Sequence, residues 1–114
     1  MKLKNSELRA LNNALFSLGN HQGSIKDRWE ISKMAKPISD ACLLLDAEIQ
    51  NLIAEKGIEE NGQKVIKTNN PDYIELMNLD IDVDIQKLTL IDLEILMPTT
   101  QELVGLTPII DGGD

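Results

Sequence analysis

The hydrophobic pattern of this chain changes from period 3.6 to period 2 near Asp80, and that change constrains the fold more than any other feature. Leu8, Leu11, Leu15 and Leu18 recur at three- and four-residue spacing, which sets them on one helical face that Ala14 widens. Asn5 or Ser6 offers an N-cap, Glu7 suits the first turn, and Gly19 suits a helix end, so a helix is predicted over about 6–18. Gly19 to Gly23 reads as a loop. Ser24 then caps a second helical stretch that carries Ile25, Trp29 and Met34. From Ile38 the pattern resumes with Ala41, Cys42, Leu45, Ile49, Leu52 and Ile53 on one side. Pro37 removes a backbone donor and clashes with the preceding turn, so it is expected to kink this helix or to separate two helices, and Gly57 is the natural stop. Two helices joined by so short a loop are expected to pair as an antiparallel hairpin over 6–18 and 24–56.

Beyond Gly57 the pattern shortens. Asn61-Gly62 is a strong signal for a two-residue hairpin turn, and its short polar flanks place that hairpin on the surface. Asn70-Pro71 starts a third helix with Tyr73, Leu76 and Met77 turned inward. Asp80, Asp82 and Asp84 then alternate with Ile81, Val83 and Ile85, the period of a half-buried strand. Residues 88–97 admit two readings, a second strand with Ile91, Leu93 and Ile95 inward or a short helix capped by Thr89; the strand is preferred. Thr99 with Glu102 is a capping box for a last short helix. The expected fold is α+β, an antiparallel helical hairpin beside a small C-terminal β-sheet and short helices. At 114 residues it is one domain: hairpin over 1–57, an acidic α/β part over 58–110, and a flexible tail over 111–114.

Composition narrows the function. Phe16, Trp29 and Tyr73 are the only aromatic residues, too few for recognition of nucleic acid by stacking. Residues 1–56 carry eight Lys/Arg and seven Asp/Glu, whereas 57–114 carry three and twelve, so net charges of +1 and −9 make up the total of −8. A field of that sign repels nucleic acid and favours a basic protein partner, and it also serves solubility. No apolar run approaches the ~18 residues of a membrane span. The Asp80-x-Asp82-x-Asp84 run starts as a calcium loop does, but Ile85 and Ile91 stand where that loop needs glycine and a carboxylate. His21 has no acid near it in sequence, and Cys42 lies among core residues, where a reactive thiolate is disfavoured. Glu59 and Glu60 are neighbours on a hairpin and point to opposite faces. The second helix has a modest basic side of Lys26, Arg28, Lys33 and Lys36, interrupted by Asp27 and Glu30. The chain is therefore expected to be no enzyme and to hold no cofactor or metal. The candidate partner-binding residues are Asp80, Asp82, Asp84, Asp92 and Glu94, beside the aliphatic stretch from Leu88 to Met97.

The opening MKLKNSELRALNNAL, the helical stretch ending in IQNLIAEKG, the segment EENGQKVIKTNNPDYIELMNLDIDVDI and the closing TTQELVGLTPII follow one another in an order that resembles a family of small uncharacterised proteins of tailed bacteriophages and prophages. The resemblance is one of layout and spans nearly the whole chain. It implies a bacteriophage product acting in the cytoplasm of the infected bacterium or in the virion. The expected function is a non-catalytic accessory protein that binds a phage or host protein in virion assembly or as a minor virion component. The alternative is a small acidic inhibitor of a host or defence protein. Because the aspartate run reads as the wet face of a strand, millimolar calcium or magnesium should shift the melting temperature by no more than about one degree. A rise of many degrees would mean a metal site.

Overall fold

A computed structural model describes residues 1–111. The tail expected at 111–114 lies, beyond Asp111, outside the described residues. The elements run β1 (Lys2–Lys4), α1 (Asn5–Asn20), α2 (Ile25–Lys56), β2 (Ile58–Glu60), β3 (Gln63–Val65), α3 (Pro71–Asn78), β4 (Asp80–Asp82), α4 (Leu90–Leu96) and α5 (Thr100–Leu106), then a 3₁₀ turn over Thr107–Ile109. The fold is α+β with a long helical hairpin, as the change of period requires.

Helix α1 begins at Asn5, and neither Asn5 nor Ser6 caps it. The Lys4 N–H donates to Glu7 Oε1 at 2.9 Å, while the Asn5 amide reaches across to the Leu76 carbonyl at 2.8 Å. Helix α1 also continues through Gly19 to Asn20. Its leucines 8, 11, 15 and 18 are at most 1% exposed. On one side they meet α2, whose buried residues Ile31, Ala35, Ile38, Cys42, Leu45 and Ile49 keep the same helical spacing. Antiparallel pairing is visible at both ends: Leu15, Phe16 and Gly19 share a groove with Arg28, Ser32 and Ala35, while Arg9 Nη2 lies 2.6 Å from Asp46 Oδ1. Pro37 does not divide α2, which is one helix of 32 residues. Ser24 caps it, accepting from the Asp27 N–H.

On its other side α1 carries α5. A Cβ added at Gly105 would lie 2.7 Å from Ala14 Cβ and 3.0 Å from the Ala10 carbonyl oxygen, so the two helices touch nearly backbone to backbone. Leu106 and Ile109, both fully buried, close the core there.

The sheet differs from expectation. Of residues 80–85 only Asp80–Asp82 forms a strand, and its partner is β1 from the N-terminus, not a second C-terminal strand. Lys2 faces Asp82, Leu3 faces Ile81 and Lys4 faces Asp80. The alternation persists past the strand, with Val83 buried and Asp84 exposed. The β2–β3 hairpin pairs Ile58 with Val65 and turns at Asn61 and Gly62, whose φ values of +53° and +79° are those the two-residue turn demands.

The preferred strand over 88–97 is a helix. Thr89 Oγ1 accepts from the Asp92 N–H at 3.2 Å, and Asp92 Oδ2 accepts from the Thr89 N–H at 3.0 Å, a closed capping box. At the other end Met97 takes the left-handed conformation and Pro98 follows. Branched apolar side chains suited a strand, but both end signals belong to a helix. Leu88 instead makes an isolated parallel bridge to Ile110.

Replacing Gly105 by alanine should destabilise the domain by up to about 2 kcal/mol, because forced overpacking of about 1–3 kcal/mol outweighs the helix preference of alanine, about 1 kcal/mol. Denaturant unfolding measures it, and a stabilised variant would mean that α1 and α5 can separate freely.

Candidate functional site

The five carboxylates singled out in the sequence do not form one site. Asp80 lines a groove with Leu44 and Glu48 near the middle of α2, whereas Asp92 lines another with Asp27 and Glu30 in its first turns. Seventeen residues of helix, about 25 Å at 1.5 Å per residue, separate Asp27 from Leu44. Asp80 and Asp82 also face Lys4 and Lys2 directly across the β1–β4 ladder, which offsets part of their charge. Asp84 is exposed after the strand, and Glu94 is exposed on α4. Asp92 is partly occupied by its cap, with Thr89 Oγ1 also 3.0 Å from Oδ2. Among the described residues no group of His, Cys, Asp and Glu is arranged to hold a metal ion. None of the helices there is long and apolar enough to cross a membrane.

The aliphatic stretch beside these carboxylates is where the structure is most unusual. Helix α4 buries only Leu93 fully, while Leu90, Ile91, Ile95 and the capping Met97 are 62%, 70%, 61% and 76% exposed. Four large apolar side chains in eight residues lie open to water. Beside them runs a groove of about 220 Å³ between α4 and the start of α2. Ile31, Met34 and Leu96 supply its apolar lining, Asp27, Glu30 and Asp92 its carboxylates, and Lys87 its one cation. The arrangement suits an apolar side chain flanked by a basic one.

A second cluster was legible in the sequence only as the Thr99–Glu102 capping box. Glu102, 3% exposed, accepts from Ser17 Oγ at 2.5 Å, from the Thr99 N–H at 2.8 Å, and lies 2.8 Å from His21 Nε2. His21 is thus not a solitary loop residue, as its sequence neighbours suggest; its acid lies 81 positions away. Burial pushes the Glu102 carboxyl upward, but the hydrogen bonds from Ser17, His21 and Thr99 outweigh it and hold the group below the usual range. The carboxylate stands between hydroxyl and imidazole. An activated serine needs the imidazole in the middle to take its proton, so this order ties α1 to α5 and does not create a nucleophile. Nearby, Ala10, Asn13, Thr99, Gln101 and Val104 border an open groove along the α1–α5 contact.

Cys42 is buried between α1 and α2, and burial raises its thiol pKa, which keeps it in the unreactive form. Comparison with protein-family models, with curated proteins and with solved structures finds no match.

Changing Glu102 to Gln should cost about 1–3 kcal/mol, since one buried acceptor oxygen becomes a donor facing donors. The folded carboxyl titrates below its unfolded value. Its stabilisation is therefore complete above the ordinary carboxyl range and fades as pH falls through the folded value. Unfolding measured from pH 7 to pH 2 should show the variant's deficit shrinking in acid. A deficit constant with pH would mean the carboxylate is not what stabilises this joint.

Proposed function

We propose that this chain is a non-catalytic accessory protein of a bacteriophage, binding another protein in virion assembly or as a minor virion component. The partner surface is the exposed face of α4 with its acidic surround. The observation that carries this reading is the exposure of Leu90, Ile91, Ile95 and Met97 on one short helix. An apolar patch rimmed by charge is the usual form of a protein contact. The partner has a complementary form, an apolar cleft edged by Lys or Arg. The net charge of −9 over 57–114 supports that sign, and the resemblance in layout supports the phage setting.

Charge and apolar area divide the work. Asp84, Asp92 and Glu94 steer a basic partner and raise the association rate, whereas exposed ion pairs add little net energy. Ile91 and Ile95 supply the lasting affinity through burial. A binding role also explains why the carboxylates need not converge as catalytic acids must.

A photoreactive amino acid placed at Ile91 should cross-link in infected cells to one protein that is also present in purified particles, while the same residue at Asn69, in an exposed loop, should not. Cross-linking to a basic host protein absent from particles would make the inhibitor the correct reading. Equal labelling from both positions, or none from Ile91, would overturn the α4 surface itself.

A further inference from the structure

Helix α2 is the longest element of the domain, about 48 Å, and its outward side has no covering layer. Along that side lie Ile25, Trp29, Lys33, Lys36, Asp40, Leu43, Leu44, Ala47 and Ala54, all exposed. Leu43 and Leu44 are each 67% exposed and Trp29 62%, although a helix packed on a core ordinarily turns polar residues outward. Leu79, half exposed, lines the groove beside Leu44 and widens the apolar centre.

The charge along α2 is polar from end to end. Ile25–Lys36 carries four Lys/Arg against two Asp/Glu, a net of +2, and Pro37–Lys56 carries one against four, a net of −3. A helix with that distribution is complementary to itself when reversed. We infer that the outward face of α2 docks a second copy of this chain, antiparallel, about a two-fold axis passing at Leu43–Leu44.

The register follows from the spacing. With the axis there, Leu43 and Leu44 meet their own counterparts, which is how one patch becomes self-complementary in a two-fold dimer. Trp29 lies about 22 Å from the axis, and Ile58 of the other copy, just past the end of its α2, lies the same number of residues away on the other side, with Ala54 four residues before it. Lys33 and Lys36 then face the turns that hold Glu48 and Glu55. Reversal also opposes the two helix dipoles favourably. This surface is distinct from the α4 face, so the two contacts are compatible and separately testable.

The test uses the purified chain alone. Sedimentation and the fluorescence of Trp29, the only tryptophan, should report a concentration-dependent dimer, with Trp29 emission moving to shorter wavelength as it forms. The joint change Leu43→Ser and Leu44→Ser should raise the dissociation constant at least about a hundredfold, since symmetry counts each leucine twice. Both residues are exposed, so helicity should persist. Two further variants keep the geometry accountable: Lys33→Glu with Lys36→Glu, and Glu48→Lys with Glu55→Lys. Each alone should weaken the dimer, and mixing the two should restore association. A monomer at all accessible concentrations, a dimer indifferent to the leucine change, or a mixture that fails to associate would each overturn the inference. Labelling from Ile91 in cells would be unaffected by any of these results.

Discussion

The core of this domain is built on the leucine column of one helix, α1. The leucine column of α1 is almost wholly removed from water, and each covering element is fitted to it. The long helix α2 packs on one flank, and α5 presses on another through Gly105. Asn5 ties its first turn to the end of α3, and β1 runs straight into it. Burying four leucines is worth roughly 6–12 kcal/mol before conformational entropy is counted, comparable with the net stability of a whole domain. The short elements β1, α3 and α5 pack on α1, while the β2–β3 hairpin rests on α2.

That dependence explains the role of Glu102. A buried carboxylate is costly unless its oxygens are satisfied, and three donors from two elements satisfy this one. The same side chain caps α5 and bonds the last turn of α1 and the residue after it, so the start of α5 is fixed where α1 ends. Polar placement sets the position of α5; close packing at Gly105 and Ala14 sets its distance.

Apart from the Asn5 or Ser6 cap and the Gly19 end of α1, most local signals in the sequence held, and so did the helical hairpin; the strand pairing across the chain did not. The leucine spacing, the Ser24 cap, the Asn61-Gly62 turn, the Asn70-Pro71 start and the Thr99–Glu102 box all specify structure within a few residues, and the fold bears each of them out. Residues 88–97 failed because apolar branched side chains weigh toward a strand, while the ends carry the decisive chemistry in Thr89, Asp92 and Met97. The partner of β4 was hidden for another reason: nothing local to Lys2, Leu3 and Lys4 says that Asp82, Ile81 and Asp80 lie opposite them. Nothing near His21 in sequence announces Glu102. The candidate carboxylates could be named from charge alone, but only the fold reveals that Asp80 and Asp92 lie against two different parts of α2 and that α4 and its cap expose Leu90, Ile91, Ile95 and Met97.

Helix α1 carries most of the buried core, whereas α4 is held on it by little more than Leu93 and leaves its other large apolar side chains in water. Native-state hydrogen exchange on the isolated protein measures this most directly. The amides from Leu8 to Leu18 should exchange only through global unfolding, and those from Leu93 to Leu96 through local opening at much lower free energy. Protection in α4 equal to that in α1 would contradict the account, because a helix so exposed would then owe its order to something other than its packing on the core.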